Sequence, residues 1–237
     1  MRLTSHLKLV SVTFSIALLT ACHVDTTPAG PTRETTVHLD RGSAERAKVD
    51  LNMAAGELKV GGGTDKLLNG RFEFNVPSWE PKVDSSNNGS HADIKISQPE
   101  GSHLSGDRHY LWDLQLNDKV LLDLAINCGA GQANLNLGEL DLRHVEVHMG
   151  AGQVDLDLRG KPTRDYDVEI SGGVGQANVH LPEDVGIWAE ASGGLGSITV
   201  TGLDKKDGHW ENALYDKAKV NVHLKVQGGI GEIRIVG

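Results

Sequence analysis

The sequence predicts an all-β protein built as a short parallel β-solenoid of about six two-strand rungs. Three observations predict it. Gly-hydrophobic-Gly turns recur along the chain, each turn lies between two runs that alternate apolar and polar residues, and the apolar residues fall in the same columns in every copy.

The five clear turns start at Gly129, Gly150, Gly173, Gly194 and Gly229, with spacings of 21, 23, 21 and 35 residues, and each has a second glycine two residues on (Gly131, Gly152, Gly175, Gly196, Gly231). Four residues after the first glycine stand Ala133, Val154, Ala177, Ile198 and Ile233, and six after it stand Leu135, Leu156, Val179, Val200 and Ile235. Five before it stand Leu124, Val145, Val168, Ala189 and Leu224, and three before it Ile126, Val147, Ile170, Ala191 and Val226. A sixth, divergent copy lies upstream in KVDLNMAAGELKV, where aligning Ala54-Ala55-Gly56 with the turns sets Val49, Leu51, Leu58 and Val60 in the same columns.

Period two explains these columns: side chains alternate across a strand, so the apolar set faces inward while Asn134, Asp155, Asn178, Thr199 and Arg234 face water. Glycine recurs where a bend needs positive φ or close approach of stacked backbones. One unit cannot bury its own apolar face, so the units are expected to stack in order, with corresponding strands parallel. Six rungs at ~4.8 Å give a stack ~29 Å tall. The 35-residue interval holds LDKKDGHWENALYDKA, a polar loop rich in turn signals.

Residues 61–118 interrupt the repeat, whose main block is 119–237. The insertion has alternating runs of its own at Phe72, Phe74 and Val76, at Ile94 and Ile96, and at Leu111, Leu114 and Leu116. It reads as an antiparallel β segment capping the first rungs, with Trp79 and Trp112 over the open end.

The N-terminus reads differently. Residues 1–21 join a positive start (Arg2, Lys8) to an apolar run from Leu9 to Leu19, a secretory-signal layout too short to span a bilayer. Leu19-Thr20-Ala21-Cys22 resembles the lipobox of bacterial lipoproteins. That resemblance implies a diacylated Cys22 thiol as the one covalent lipid, cleavage before Cys22 and frequent acylation of the new amine. Two or more chains anchor stably where one binds weakly. Residues 22–35 then form a flexible tether, and 36–237 the folded domain. His23 follows the cysteine, which resembles an outer-membrane sorting signal if the host has an outer membrane; otherwise the domain sits on the outer face of the cytoplasmic membrane.

The formal charge of −9 becomes −11 once Arg2 and Lys8 leave with the signal, an acidity that disfavours nucleic acid. With Cys22 acylated, Cys128 has no disulfide partner and reads as a small core residue.

GELKVGGG, LLNGRFEFNVPSWEPKV, YLWDLQLN and the serial GAGQANLNL, GAGQVDLDL, GGVGQANVH, GGLGSITV and GGIGEIRI resemble the toast-rack family, the C-terminal domain of LiaF-like cell-wall-active-antibiotic response proteins with its N-terminal segment. The resemblance spans roughly residues 36–237. It implies a β-solenoid-like domain outside the membrane that works beside envelope-stress systems, and it supplies no catalytic residues. The departure is the lipobox, where LiaF-like members carry membrane helices.

Enzymatic motifs do not emerge from the residues. GAGQAN lacks the third glycine of a dinucleotide fingerprint, and GGVGQANVH and GGLGSITVT have Ala177 and Ile198 where a calcium nonapeptide needs Asp. A polysaccharide lyase rests on fold analogy alone. The expectation is a non-enzymatic envelope protein with a protein partner, acting in stress sensing, scaffolding or adhesion, and using no cofactor or metal. The alternative is capture of a glycan, peptide or metal on an outward stripe. The candidate face is His144, Glu146 and His148 on one strand, with Asp167 and Glu169 beside them on the next rung and Trp188, with His223, in the His144 column. Alternate residues stand ~6.5–7 Å apart, long for one tetrahedral metal.

Overall fold

The computed structural model describes residues 29–99 and 108–237. The signal, the lipobox and Cys22 lie outside the described residues. Among the described residues no helix is long and apolar enough to cross a membrane. The strands are β1 (Arg33–Leu39), β2 (Arg46–Thr64), β3 (Leu68–Phe74), β4 (Lys82–Asn88), β5 (His91–Ser97), β6 (Tyr110–Asn117), β7 (Leu121–Asn136), β8 (Leu142–Asp157), β9 (Tyr166–His180), β10 (Gly186–Thr201), β11 (Asp204–Lys206), β12 (His209–Glu211) and β13 (Asn221–Val236). β1 begins at Arg33, so residues 33–35, counted above with the tether, pair with β3.

Six long strands, β2, β7, β8, β9, β10 and β13, are the rungs, each bent at its glycines into two arms and paired in parallel with its neighbours. The bend changes the phase of the alternation. In β7 the buried residues before it are Leu122, Leu124, Ile126 and Cys128, and after it Ala133 and Leu135, so both arms turn their apolar side to one core. Only glycine fits there. Gly152 has φ +137, and a Cβ on it would stand 1.9 Å from the carbonyl oxygen of Gly131 on the next rung.

The columns read from the sequence are the columns of the structure: Val49 pairs with Leu124, Leu124 with Val145, Val145 with Val168, and Leu58 with Ala133. The order of the rungs differs from the expected sequential stack. β13 lies between β9 and β10, which puts β10 outermost. The side chains supply a reason. β13 brings Leu224 and Val226, both buried, to columns where β10 has Ala189 and Ala191. Five additional side-chain carbons in the interior stabilise by roughly 4 kcal/mol. Residues 202–220, which link β10 to β13, also contain the β11–β12 hairpin, and β12 pairs antiparallel with β10 at Trp188 and Ala189.

The insertion also differs from a purely antiparallel cap. β5 runs parallel to the first arm of β2 and β6 parallel to its second arm, so together they form a split seventh rung. In the sequence, β5 ends at Ser97 and β6 begins at Tyr110. The Gln98 Oε1 accepts hydrogen bonds from the amides of Ala54 (2.7 Å) and Ala55 (3.1 Å) in the β2 bend. Antiparallel strands then extend each arm: β4 on β5, and β3 followed by β1 on β6. Trp79 and Trp112 are fully buried at this end. Edge-to-face contacts at 5.7–5.9 Å join Phe72 to Trp112, Trp112 to Tyr110 and Tyr110 to Trp79.

Candidate functional site

Residues between the buried columns of the first arms point outward, and the parallel register sets them in rows across the strands. One row reads Asp123, His144, Asp167, His223, Trp188, and the next Ala125, Glu146, Glu169, Lys225, Glu190. A third reads Asn127, His148, Ser171, Gln227, Ser192. The register thus sets Asp167 and Glu169 beside His144 and Glu146. Trp188 shares the His144 row but does not adjoin Asp167, because β13 inserts His223 between them.

Local hydrogen bonds tie this face together. The His148 ring lies between Glu146 (Nε2–Oε1 2.8 Å) and the Ser171 hydroxyl, and Arg143 Nε donates to Asp123 Oδ1 at 2.7 Å. Arg143, His148 and Glu146 are about half exposed, where ion pairs contribute little to stability. Among the described residues, no three His, Cys, Asp or Glu side chains converge to hold a metal ion.

Trp188 belongs to a second cluster that sequence reasoning missed. The His209 ring stacks on the indole (5.4 Å, 28°), His223 meets it edge-on (6.0 Å, 88°), and Tyr215 meets His223 (6.0 Å, 67°). The Tyr215 hydroxyl is 3.4 Å from His223 Nε2, and His223 Nδ1 is 3.1 Å from Asp167 Oδ1. The hairpin that brings His209 turns on Asp207 (φ 45) and Gly208 (φ 93), the two left-handed residues of a tight hairpin turn. Glu211 binds Lys206 (2.6 Å) and His209 (3.3 Å), and Lys206 first and then His209 hold its carboxyl below the ordinary glutamate value. Trp188 therefore anchors the hairpin, with one indole face already taken.

The Tyr–His–Asp chain is the arrangement here most like a catalytic relay, yet its phenol is shifted the wrong way for a nucleophile. Burial, then Asp216 and Glu211, push the Tyr215 pKa up. Cys128 is buried, and burial pushes its thiol to about 11.

A further feature runs along the bends. The middle residues of the turns form a column that reads, in spatial order, Ala55, Ala130, Ala151, Val174, Ile230, Leu195. The last three are 54, 52 and 71% exposed, an apolar stripe at the β10 end.

Residues 28–180 match the N-terminal domain of toast_rack, and residues 130–235 match the C-terminal domain of LiaF, the cell wall-active antibiotics response protein. The chain belongs to the toast-rack family. Its bent, mostly parallel rungs are thus those of a toast-rack domain. No curated protein matches the chain. Among solved structures, a candidate cell adhesion protein of Clostridium sporogenes overlays with a TM-score of 0.78 at 25% identity, over 87% of this chain and 99% of that one. A candidate adhesin of Bacteroides fragilis covers 88% of this chain and 98% of its own, at 10% identity and a TM-score of 0.31, too poor an overlay to bear on the fold. The adhesion-described and LiaF-like likenesses associate this toast-rack chain with the cell envelope.

Proposed function

We propose that this toast-rack protein is a lipid-anchored, non-enzymatic component of the bacterial cell envelope that works by binding another protein, in adhesion, scaffolding or stress sensing. The observation that carries the reading is the overlay on nearly the whole length of a protein described as a candidate for cell adhesion. The LiaF match, in a protein described by its response to cell wall-active antibiotics, supports the same setting. The site chemistry agrees, since Tyr215 and Cys128 are both shifted away from reactivity. In this reading the domain hangs from acylated Cys22, facing the periplasm from the outer membrane in a diderm host. It binds at the membrane surface and does not itself carry a signal through the bilayer.

Crosslinking in intact cells, followed by identification of the linked proteins, tests the binding role. A specific envelope protein captured through the outer face supports it. No partner, together with unchanged survival of a deletion strain under cell wall-active antibiotics, refutes it. Cys22→Ser is expected to move the protein from the membrane fraction to the soluble one without unfolding it, and continued membrane retention would refute the anchor.

A further inference from the structure

Among the described residues, four strands have an open edge: β1, β4 and β11 each pair on one side, and β10 is open on its outer side beyond Ala189. An open edge is a template for pairing, and natural sheets blunt it with charge. β1 carries Arg33 and Glu34, β4 carries Lys82 and Asp84, and β11 is Asp-Lys-Lys. β10 has no charged residue from Ala191 to Thr201. Exposed apolar residues gather at this same edge: Leu195 and Ile198 on β10, with Val174 and Ile230 on the rungs behind it.

The space between the arms here is an apolar slot of about 80 Å³, lined in part by Val154, Ile170, Ile198, Val226 and Ile233. Small-molecule pockets run to ~300–1,000 Å³. The feature left to fill is therefore the strand edge.

We propose that a second copy of this chain completes the edge, with β10 pairing antiparallel to β10 of its partner about a two-fold axis at Thr199. The straight segment between the bend and Gly202 (φ +79) is Ser197–Thr201, and Thr199 is its centre. Two-fold pairing there sets Thr199 opposite itself, Ile198 opposite Val200 and Ser197 opposite Thr201. Apolar side chains then meet apolar ones on the inner face, and hydroxyls meet on the outer face. Two strongly acidic chains meet here without bringing charges together, because the paired segment of each, Ser197–Thr201, carries no charge and the nearest charged β10 residue, Glu190, lies before the bend. The occupant is not the chain's own N-terminus. Gly30 is fixed by its amide to Asn75 O (2.7 Å), and β1 lies eight strand spacings from β10, ~38 Å. With cleavage before Cys22, a step that rests on the proposed function, the eight residues left from Cys22 to Ala29 span at most ~29 Å. A two-fold contact closes on itself, so the product is a dimer and not a fibre. This pairing is independent of any envelope partner, and a negative partner search leaves it standing.

Full-length protein in mild detergent is expected to sediment with two chains per particle. Thr199→Lys, an exposed outer-face change, sets two cations opposite each other and is expected to weaken the dimer by at least about tenfold. Thr199→Cys is expected to form a linked dimer on mild oxidation, since opposed residues of an antiparallel pair stand ~4.5–5.5 Å apart at Cα, within disulfide reach. Asp84→Cys on the charged β4 edge is expected to form none. One chain per particle, a dimer that survives Thr199→Lys, absence of the Thr199→Cys link, an equal link through Asp84→Cys, or a particle whose added mass is a different protein would each overturn the proposal.

Discussion

The two ends of this rack are finished in opposite ways. At one end the chain adds a split rung, three antiparallel strands and a row of interlocked aromatic rings. The other end stops on β10, which has Ala189 and Ala191 in two inward columns, a short hairpin on its first arm and a bare second arm. The rungs between them are nearly interchangeable, each presenting the same four columns to the next. In a repeat protein the interior supplies a common frame, and individuality gathers where the repetition stops. The closed end is built for stability and the bare one for contact.

Substitution at each end measures that difference. Trp112 is fully buried, and Trp112→Ala is expected to lower stability by about 3–5 kcal/mol. Leu195 is 71% exposed, and Leu195→Ser is expected to change stability by no more than about 0.5 kcal/mol. Urea unfolding, with both variants in a Thr199→Lys background so that pairing between copies plays no part, checks the contrast. Comparable losses at the two ends would break it.

A second pair of variants sharpens the distinction between repeating frame and ends. Gly152→Ala drives a Cβ to 1.9 Å from a backbone oxygen of the neighbouring rung, at a φ of +137. Strain and displaced backbone together are expected to cost about 3 kcal/mol. Gly63, also at positive φ (+98), has nothing within 4 Å of its would-be Cβ, so Gly63→Ala meets only the conformational term, about 1 kcal/mol. The same unfolding measurement separates them, and equal losses would show that crowding between rungs is not what requires glycine at the bends.

The columns were legible because a period of two fixes which side chains face inward, and a shared register fixes which of them meet. Rung order was not legible for the same reason: strands with identical columns stack on one another in any order. A hint lay in the sizes, with Ala189 and Ala191 on the strand that ends outermost. Within the insertion the pairing is antiparallel, as the sequence suggests, but its parallel junction with β2 through β5 and β6 was not legible, because alternation marks faces and carries no direction. The proximity of His144 to Asp167 followed from adjacent repeats. The Trp188 cluster did not, because His223 reaches it through the exchanged rung order and His209 through the hairpin. Asp207-Gly208 was the available signal for that hairpin. Widening of the bend residue from alanine to valine, leucine and isoleucine was also visible, but its gathering at one end depends on where β10 and β13 lie.

The hairpin gives the smallest expected effect and tests how the partial cap is held. Hydrogen bonds from Lys206 and then His209, partners that the unfolded hairpin loses, hold the Glu211 carboxyl below the ordinary glutamate value. A carboxyl depressed in the folded state contributes stability that is fully present above its unfolded value and is lost as pH falls through its folded value. The hairpin is therefore expected to loosen below about pH 4.5, before the rack itself unfolds. Exchange of the Asn212 and Ile187 amides reports it, since the first donates to Ile187 O (3.3 Å) and the second to Asn212 Oδ1 (3.0 Å). Their rates are expected to rise a few-fold relative to core amides between pH 5 and pH 3, after allowance for intrinsic exchange. Because these groups are exposed to solvent, added salt is expected to shrink the effect. Glu211→Gln is expected to remove the pH dependence. An unchanged profile in that variant would assign the hairpin's hold to the stacking of His209 on Trp188. In either case, a hairpin that opens also frees the β10 edge at Trp188 and Ala189, which links the strength of this cap to how much edge is free to pair.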